Sequence, residues 1–305
     1  MPAELLRGAP VATTVLEAVE DRIVELAERG VVPTLGTVLM SDDPADERFV
    51  RLKHDACAEV GIDTRDVRLE PDAPPARLYR AIETLCADPV VDAVFVQVPL
   101  PRHVSLSAVR SRLDPAKDVD CFHHENLGRL VAGDPRFVPA TPAAVCHLLE
   151  WYDVPTVGAH VVIVGRSGPI GIPLANLLLG DEPRRNATVT VCHSRTSALE
   201  EKTRRADVLV TASGVPELVD GSMLSPGVVV VDVSVNDRPA DSAVGRRDGS
   251  SDRASQSSAG QSGSTVVGDV AFESAREKAS AITPVPGGVG PVTLAMVVRN
   301  AVLAA

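Results

Sequence analysis

Residues 160–179 read HVVIVGRSGPIGIPLANLLL. The first five are a short run of strand type, apolar after His160. Residues 165–173 follow with glycines at 165, 168 and 171, and residues 174–179 have the composition of an apolar helix. A strand that passes through a glycine turn into a helix offers a phosphate free backbone N–H groups and the positive end of a helix dipole. Missing side chains at the turn let the phosphate come close. The spacing departs from G-x-G-x-x-G, so a purely structural turn is the competing reading of this stretch alone. Its surroundings favour the first. Strand patterns recur at 188–192, 208–212 and 228–233, with helices or loops between them. That is the rhythm of a doubly wound, nucleotide-binding sheet.

Upstream the chain alternates in the same manner. Residues 11–29 place Val15, Val19, Ile23, Leu26 and Ala27 at helical spacing, and Gly30 stands where a cap belongs. Residues 34–40 read as a buried strand, 46–60 as a helix ending at Gly61, 66–69 as a short strand, 77–87 as a helix and 93–98 as a strand. This β-α-β-α-β order predicts a parallel sheet with helices on its faces. A turn-rich stretch near 133–142 separates the halves, and 305 residues suit two α/β domains. Residues 237–264 break the pattern. They are rich in Ser, Gly, Asp and Arg and nearly free of large apolar residues, the composition of a disordered surface insertion. A phosphorylated or nucleic-acid-binding tract is the alternative there, and the mixed charges argue weakly for it. The chain resumes at 266–270, passes a loop TPVPGGVGP at 283–291 and closes with a helix at 292–303.

Acidic residues number 41 against 30 Lys plus Arg, a formal charge of −11. Such a balance disfavours nonspecific binding to nucleic acid. No apolar run reaches the length of a membrane span and the N-terminus lacks a secretory pattern, so the expected address is the cytoplasm. Five scattered cysteines (57, 86, 121, 146, 192) without a CxxC give neither a disulfide frame nor a zinc site. Only four basic residues are lysines, at 53, 117, 202 and 278. Arginine bias with an acidic surplus fits either GC-rich coding or adaptation to salt.

Several residues have the makings of a site. Ser194 and Arg195 lie in HSRT directly after the 188–192 strand, where an NAD site places an acid, and Arg166 lies in the glycine turn. Cations and hydroxyls there suit a 2′-phosphate, hence NADP. A solvated surface charge is the plainer reading of Arg195. Lys53 shares a helix face with Phe49 one turn earlier, so that the ring stacks on a flat substrate while the amine acts; a solvated lysine is the default. Gln97 ends a parallel strand, the edge where such sheets bind ligands, and Pro99 and Pro101 fix the loop beyond it. Asp118 and Asp120 stand beside His123 and His124; the adjacent histidines point apart, against a metal site, and a loop-bonding role for one aspartate is the plain alternative.

Together these segments resemble the bifunctional methylenetetrahydrofolate dehydrogenase/methenyltetrahydrofolate cyclohydrolase (FolD) family. VQVPLP, KDVDCFHHENLGRL, GRSGPIGIP, TVTVCHSRT, GDV and TPVPGGVGPVT occur in order along nearly the whole chain outside 237–264. The resemblance implies a folate-binding catalytic domain, 1–142, with the C-terminal segment 283–305 returning to it, and a Rossmann-type NADP-binding domain, 143–282. It implies NADP-dependent oxidation of 5,10-methylenetetrahydrofolate, hydrolysis of the methenyl product to 10-formyltetrahydrofolate, and a homodimer serving one-carbon metabolism for purine, methionine and histidine biosynthesis. Lys53 then manages protons, Gln97 positions and polarises it, and Asp120 holds the pterin ring. Phe49, Pro99, Leu100, Pro286, Gly287 and Gly288 border the folate. Gly165, Arg166, Ser167, Gly171, Ser194, Arg195 and Val235 face the cofactor, with no metal.

Four positions depart from the family pattern: Phe49 replaces Tyr, Asp46 replaces Ser, Cys121 replaces Gly, and Ser234 replaces the Gly of DVG. Stacking survives the loss of the Tyr hydroxyl, but a hydrogen bond does not. A carboxylate near Lys53 raises its pKa and weakens it as a base. A dehydrogenase with weak or absent cyclohydrolase activity therefore competes with the bifunctional enzyme. A noncatalytic NADP sensor and a shikimate-type dehydrogenase are further readings, disfavoured by the intact folate segments.

Overall fold

The computed structural model describes residues 2–238 and 265–305. The chain opens with β1 (Glu4–Leu5) and α1 (Gly8–Glu28). It continues through β2 (Thr34–Leu39), α2 (Pro44–Glu59), β3 (Asp63–Arg68), α3 (Pro75–Ala87) and β4 (Ala93–Val96). The strands β3-β2-β4 form a parallel sheet. β2 and β4 are buried throughout, because helices cover both faces of the sheet. β3 begins three residues earlier than its apolar pattern indicates. As DTRDVR on a sheet edge it has one covered side, so polar residues suit it. α4 (Leu106–Arg110), α5 (His124–Val131) and α6 (Ala140–Trp151) lead to the second sheet.

That sheet contains β5 (His160–Val164), β6 (Thr188–Cys192), β7 (Val208–Thr211), β8 (Val229–Asp232) and β11 (Ala281–Ile282). α7 (Gly171–Leu179), α8 (Leu199–Thr203), α9 (Phe272–Arg276) and the short ribbon β9 (Asn236–Arg238) with β10 (Thr265–Val267) lie between them, and α10 (Val289–Ala304) ends the chain. The order is β1-β11-β8-β7-β5-β6, all parallel. The chain leaves β5 for β6 on one side and returns to β7 on the other, so the crevice beyond Val164 is the switch point where such sheets bind ligands. The linker reading of 237–264 is corrected at its start: 237 and 238 belong to β9, which pairs antiparallel with β10, and a backbone ladder of this kind needs no apolar pattern to form. Residues 239–264 lie outside the described residues.

Two connections tie the halves together. β1, at the start of the chain, is the edge strand of the second sheet: Glu4 aligns with Ala281 and Leu5 with Ile282. α10 packs on α1, α2 and α6. One continuous apolar core accordingly runs from Leu35 and Phe95 on the first sheet through Val145, Met296 and Val298 to Val161 and Val210 on the second.

Candidate active site

α2 starts well defined. The Asp43 carboxylate accepts from Ala45 N, and Pro44 occupies the first turn, where its missing N–H costs nothing. Its buried stripe is Val50, Lys53 and Cys57, so the lysine occupies a register that belongs to apolar residues. Lys53 is 1% exposed. Its ammonium lies 3.9 Å from the Phe49 ring centroid and 4.0 Å from that of Phe95. Its hydrogen bond goes to Gln97 Oε1 at 2.8 Å. Gln97, at the end of β4, is fixed by its other end: Nε2 donates to Val98 O at 2.8 Å and to Asp46 Oδ1 at 3.2 Å. Carbonyl oxygen rather than amide nitrogen thereby faces the amine.

Burial lowers the Lys53 pKa to about 7, against the opposing charges of Asp120 and Asp46. As the sequence leads one to expect, Asp46 raises the Lys53 pKa, but it does not set it. The Asp46 carboxylate is occupied by Ser41 Oγ at 2.7 Å and by Gln97, and its upward pull is smaller than desolvation. Nearby Cys57 is pushed up to about 12 by burial and stays a thiol.

Asp120 accepts from Ala140 N at 3.0 Å through Oδ1. Desolvation, with Asp118 adding like charge, raises it to about 7. Asp118 itself is a loop residue: it accepts from Phe122 N, His123 N and Asn126 Nδ2 and sets the turn that presents Asp120. His123 caps α5 by accepting from Glu125 N. Cys121 has φ +55°, the left-handed region glycine favours, which accounts for glycine in the family pattern; here its Sγ donates to Phe137 O at 2.6 Å.

The loop after β11 is held from outside the second sheet. Gly8 N donates to Gly287 O at 2.8 Å, and a Cβ on Gly8 would overlap Gly288 O. Gly288 is buried, while Pro286 and Gly287 face solvent, as does Pro99; Leu100 is half-buried.

At the end of β5, Gly165 has φ +140°, and a Cβ there would collide with Ala212 O; one on Gly171 would collide with Gly165 O. The backbone is thus folded into a cradle that only glycine permits, at the N-terminus of α7. Arg166 and Ser167 are exposed on its rim. Beside it, His193 N donates to Thr196 Oγ1 and Thr196 N to His193 O, closing a turn that leaves Ser194 and Arg195 exposed. No acid lies in that turn, and among the described residues neither Arg166 nor Arg195 has a side-chain ion pair. These features fit a dinucleotide with a 2′-phosphate. Val235, 64% exposed, lies beyond β8.

Sequence reasoning missed what holds the Val235 segment. Asp269 Oδ2 accepts from Ser213 N, Ser213 Oγ, Gly214 N and Ser234 Oγ, and Oδ1 accepts from Asn236 Nδ2. The Asp232 carboxylate accepts from Asp269 N and Val270 N. Ser234 therefore has a partner that glycine in its place would lack. The only sequence signal was the acid in GDV, whose partners lie up to 56 residues away.

The sequence signature of the tetrahydrofolate dehydrogenase/cyclohydrolase catalytic domain matches residues 6–120, and that of the same family's NAD(P)-binding domain matches 139–305. The chain is 51% identical over 302 residues to the bifunctional protein FolD of Natronomonas pharaonis, covering 99% of this chain and 96% of that one. It is 47% identical over 301 residues to that of Haloquadratum walsbyi, covering 99% and 90%. Among solved structures it resembles the FolD dehydrogenase/cyclohydrolase of Campylobacter jejuni (TM-score 0.85, 35% identity, 99% and 98% covered). It also resembles the FolD of Trypanosoma brucei complexed with NADP cofactor and inhibitor (TM-score 0.87, 33% identity, 100% and 97% covered).

Proposed function

This chain belongs to the tetrahydrofolate dehydrogenase/cyclohydrolase family, and from that premise we propose how its residues perform the two reactions. The protein is a methylenetetrahydrofolate dehydrogenase that uses NADP and a methenyltetrahydrofolate cyclohydrolase. Bound NADP+ is the acceptor of the hydride leaving the one-carbon bridge of 5,10-methylenetetrahydrofolate. The folate nitrogens push that hydride out, so the protein's part is to hold the two molecules in register. Phe49 stacks on the folate, Pro99, Leu100, Pro286, Gly287 and Gly288 border it, and Asp120 holds the pterin through hydrogen bonds. Gly165, Arg166, Ser167, Gly171, Ser194, Arg195 and Val235 hold the cofactor.

In the second reaction water adds to the methenyl carbon and gives up a proton; the bond from that carbon to the ring nitrogen then opens as the nitrogen takes that proton and the new hydroxyl loses its own to solvent, leaving 10-formyltetrahydrofolate. Lys53 takes and returns the proton. The observation that carries this role is a lysine at 1% exposure, hydrogen-bonded to Gln97, with a pKa near 7. A base with that pKa is half neutral at neutral pH. Gln97 orients it. The loss of cyclohydrolase activity that Asp46 and Phe49 raise as an alternative is not favoured, because burial overrides Asp46 and the Lys53–Gln97 bond forms without a tyrosine.

The chain divides into a folate-binding domain, 1–142 with 283–305, and an NADP-binding domain, 143–282. It works as a homodimer in the cytoplasm and supplies one-carbon units to purine, methionine and histidine biosynthesis; kinship supports these assignments. Among the described residues no helix is long and apolar enough to cross a membrane. The test is two assays on purified protein. With 5,10-methylenetetrahydrofolate, NADP+ is reduced; with 5,10-methenyltetrahydrofolate alone, absorbance falls faster than in buffer. NADP+ reduction without the second signal would remove the Lys53 role.

A further inference from the structure

Arg110, the last residue of α4, reaches the glycine turn between β5 and α7. A Cβ built on Gly168 would lie 2.7 Å from Arg110 Nη2, so the guanidinium occupies the space a side chain at 168 would take. Its central carbon lies 5.7 Å from the Phe122 ring centroid, which holds it from the other side. Three guanidinium Nε atoms among the described residues are closed off from solvent without a hydrogen bond, those of Arg110, Arg112 and Arg185. Arg112 and Arg185 nevertheless have carboxylates close by, Glu83 at 3.1 Å and Glu182 at 3.2 Å. Among the described residues Arg110 has no ion pair.

An arginine stays charged, and a closed-off donor without an acceptor is costly. The turn's free backbone N–H groups and the start of α7 are themselves positive and give it no counter-charge. An anion seated on the turn would give the Arg110 guanidinium, through Nη2 beside Gly168, a counter-charge and would meet the turn's N–H groups at the same time. We propose that Arg110 is a binding residue for the cofactor's pyrophosphate, delivered from the first sheet's side of the cleft onto the glycine turn at Gly168. This rests on the reading of that turn as the NADP site. Of the cofactor's three phosphates the two of the pyrophosphate are the ones assigned, because Ser194 and Arg195 already stand at the end of β6 for the 2′-phosphate.

The experiment titrates NADP+ and adenosine 2′-monophosphate by calorimetry into the unaltered protein, Arg110→Ala and Arg110→Lys, at several salt concentrations. NADP+ affinity should fall about tenfold or more in Arg110→Ala and less in Arg110→Lys. The salt dependence of NADP+ binding should become shallower. Adenosine 2′-monophosphate, which lacks the pyrophosphate, should bind the variants unchanged, and the ligand-free melting temperature of Arg110→Ala should not fall below that of the unaltered protein. Unchanged NADP+ affinity in Arg110→Ala overturns the assignment, and so does an equal loss for both ligands. If the unaltered protein binds no NADP+, the cofactor reading falls and this assignment with it.

Discussion

Lys53 occupies a core position on α2, and the register of that helix explains the chemistry. A lysine on the exposed face would keep its usual pKa; one turn-register away it loses water and becomes a base at neutral pH. Replacing it with methionine, which fits the apolar stripe, should lower cyclohydrolase activity by at least about 100-fold. Calorimetric NADP+ binding should be unchanged. The cyclohydrolase rate should rise with pH through about 7, as the amine loses its proton. Asp46 holds that pKa up, so Asp46→Asn should move the rising limb to lower pH; pH–rate profiles of both proteins test it. The same pair makes stability pH-dependent. Asp120 holds its proton to about pH 7 when folded but releases it near 4 when unfolded, so stability falls as pH rises between these values. Lys53 binds its proton less readily when folded, so above about pH 7 stability rises again towards 10. A shallow stability minimum near neutrality should appear in urea titrations across pH and vanish in the variant carrying both Lys53→Met and Asp120→Asn.

Among the elements, α10 illustrates how distant segments set a site. Asn300 Nδ2 donates to Val119 O and Val138 O, at 2.8 Å each, and so braces the segment that carries Asp120. Asn300→Leu leaves two carbonyls without a partner, one of them in a buried bond, and should cost about 2–4 kcal/mol in chemical unfolding. The glycine cradle is equally intolerant. Gly171→Ala should lower stability by about 2 kcal/mol or more, because the methyl meets backbone rather than a side chain that can move aside. Much of this architecture is legible in the sequence. Apolar runs such as 160–164 and 34–39 are strands because both faces of each sheet are covered, and the turn at 165 needs glycine for its positive φ. Other parts are not. β1 and β11 are two residues long and carry no periodicity, and β3 is polar because it is an edge. Residues 237 and 238 look like linker because a two-stranded ribbon needs no apolar face. The Lys53–Gln97 bond spans 44 residues and the place of Arg110 depends on Gly168 in another sheet's turn; neither leaves a local pattern.

For the whole molecule, charge is the first consideration. The chain carries a net charge of −11, so its folded surface repels itself at low ionic strength. Thermal unfolding followed across sodium chloride concentrations should show the melting temperature rising as salt is added, most steeply up to about 0.15 M, where screening acts within about 8 Å. An opposite trend would mean that attractive pairs such as Arg129–Asp134 outweigh the surplus. The remaining consideration is connectivity. β1 pairs with β11, nearly the whole chain away, and α1 lies against α10. During synthesis the first strand and first helix emerge long before the segments that cover them. They must wait, unpaired, while the middle of the chain folds. Closing so long a loop costs only slightly more entropy than closing a shorter one, but it is slow. A ribosome that stops before residue 281, short of both β11 and α10, therefore does not release an enzyme with a frayed end. It releases a protein whose beginning has nowhere to dock, with an open sheet edge and a bare apolar helix face for proteases and chaperones to recognise.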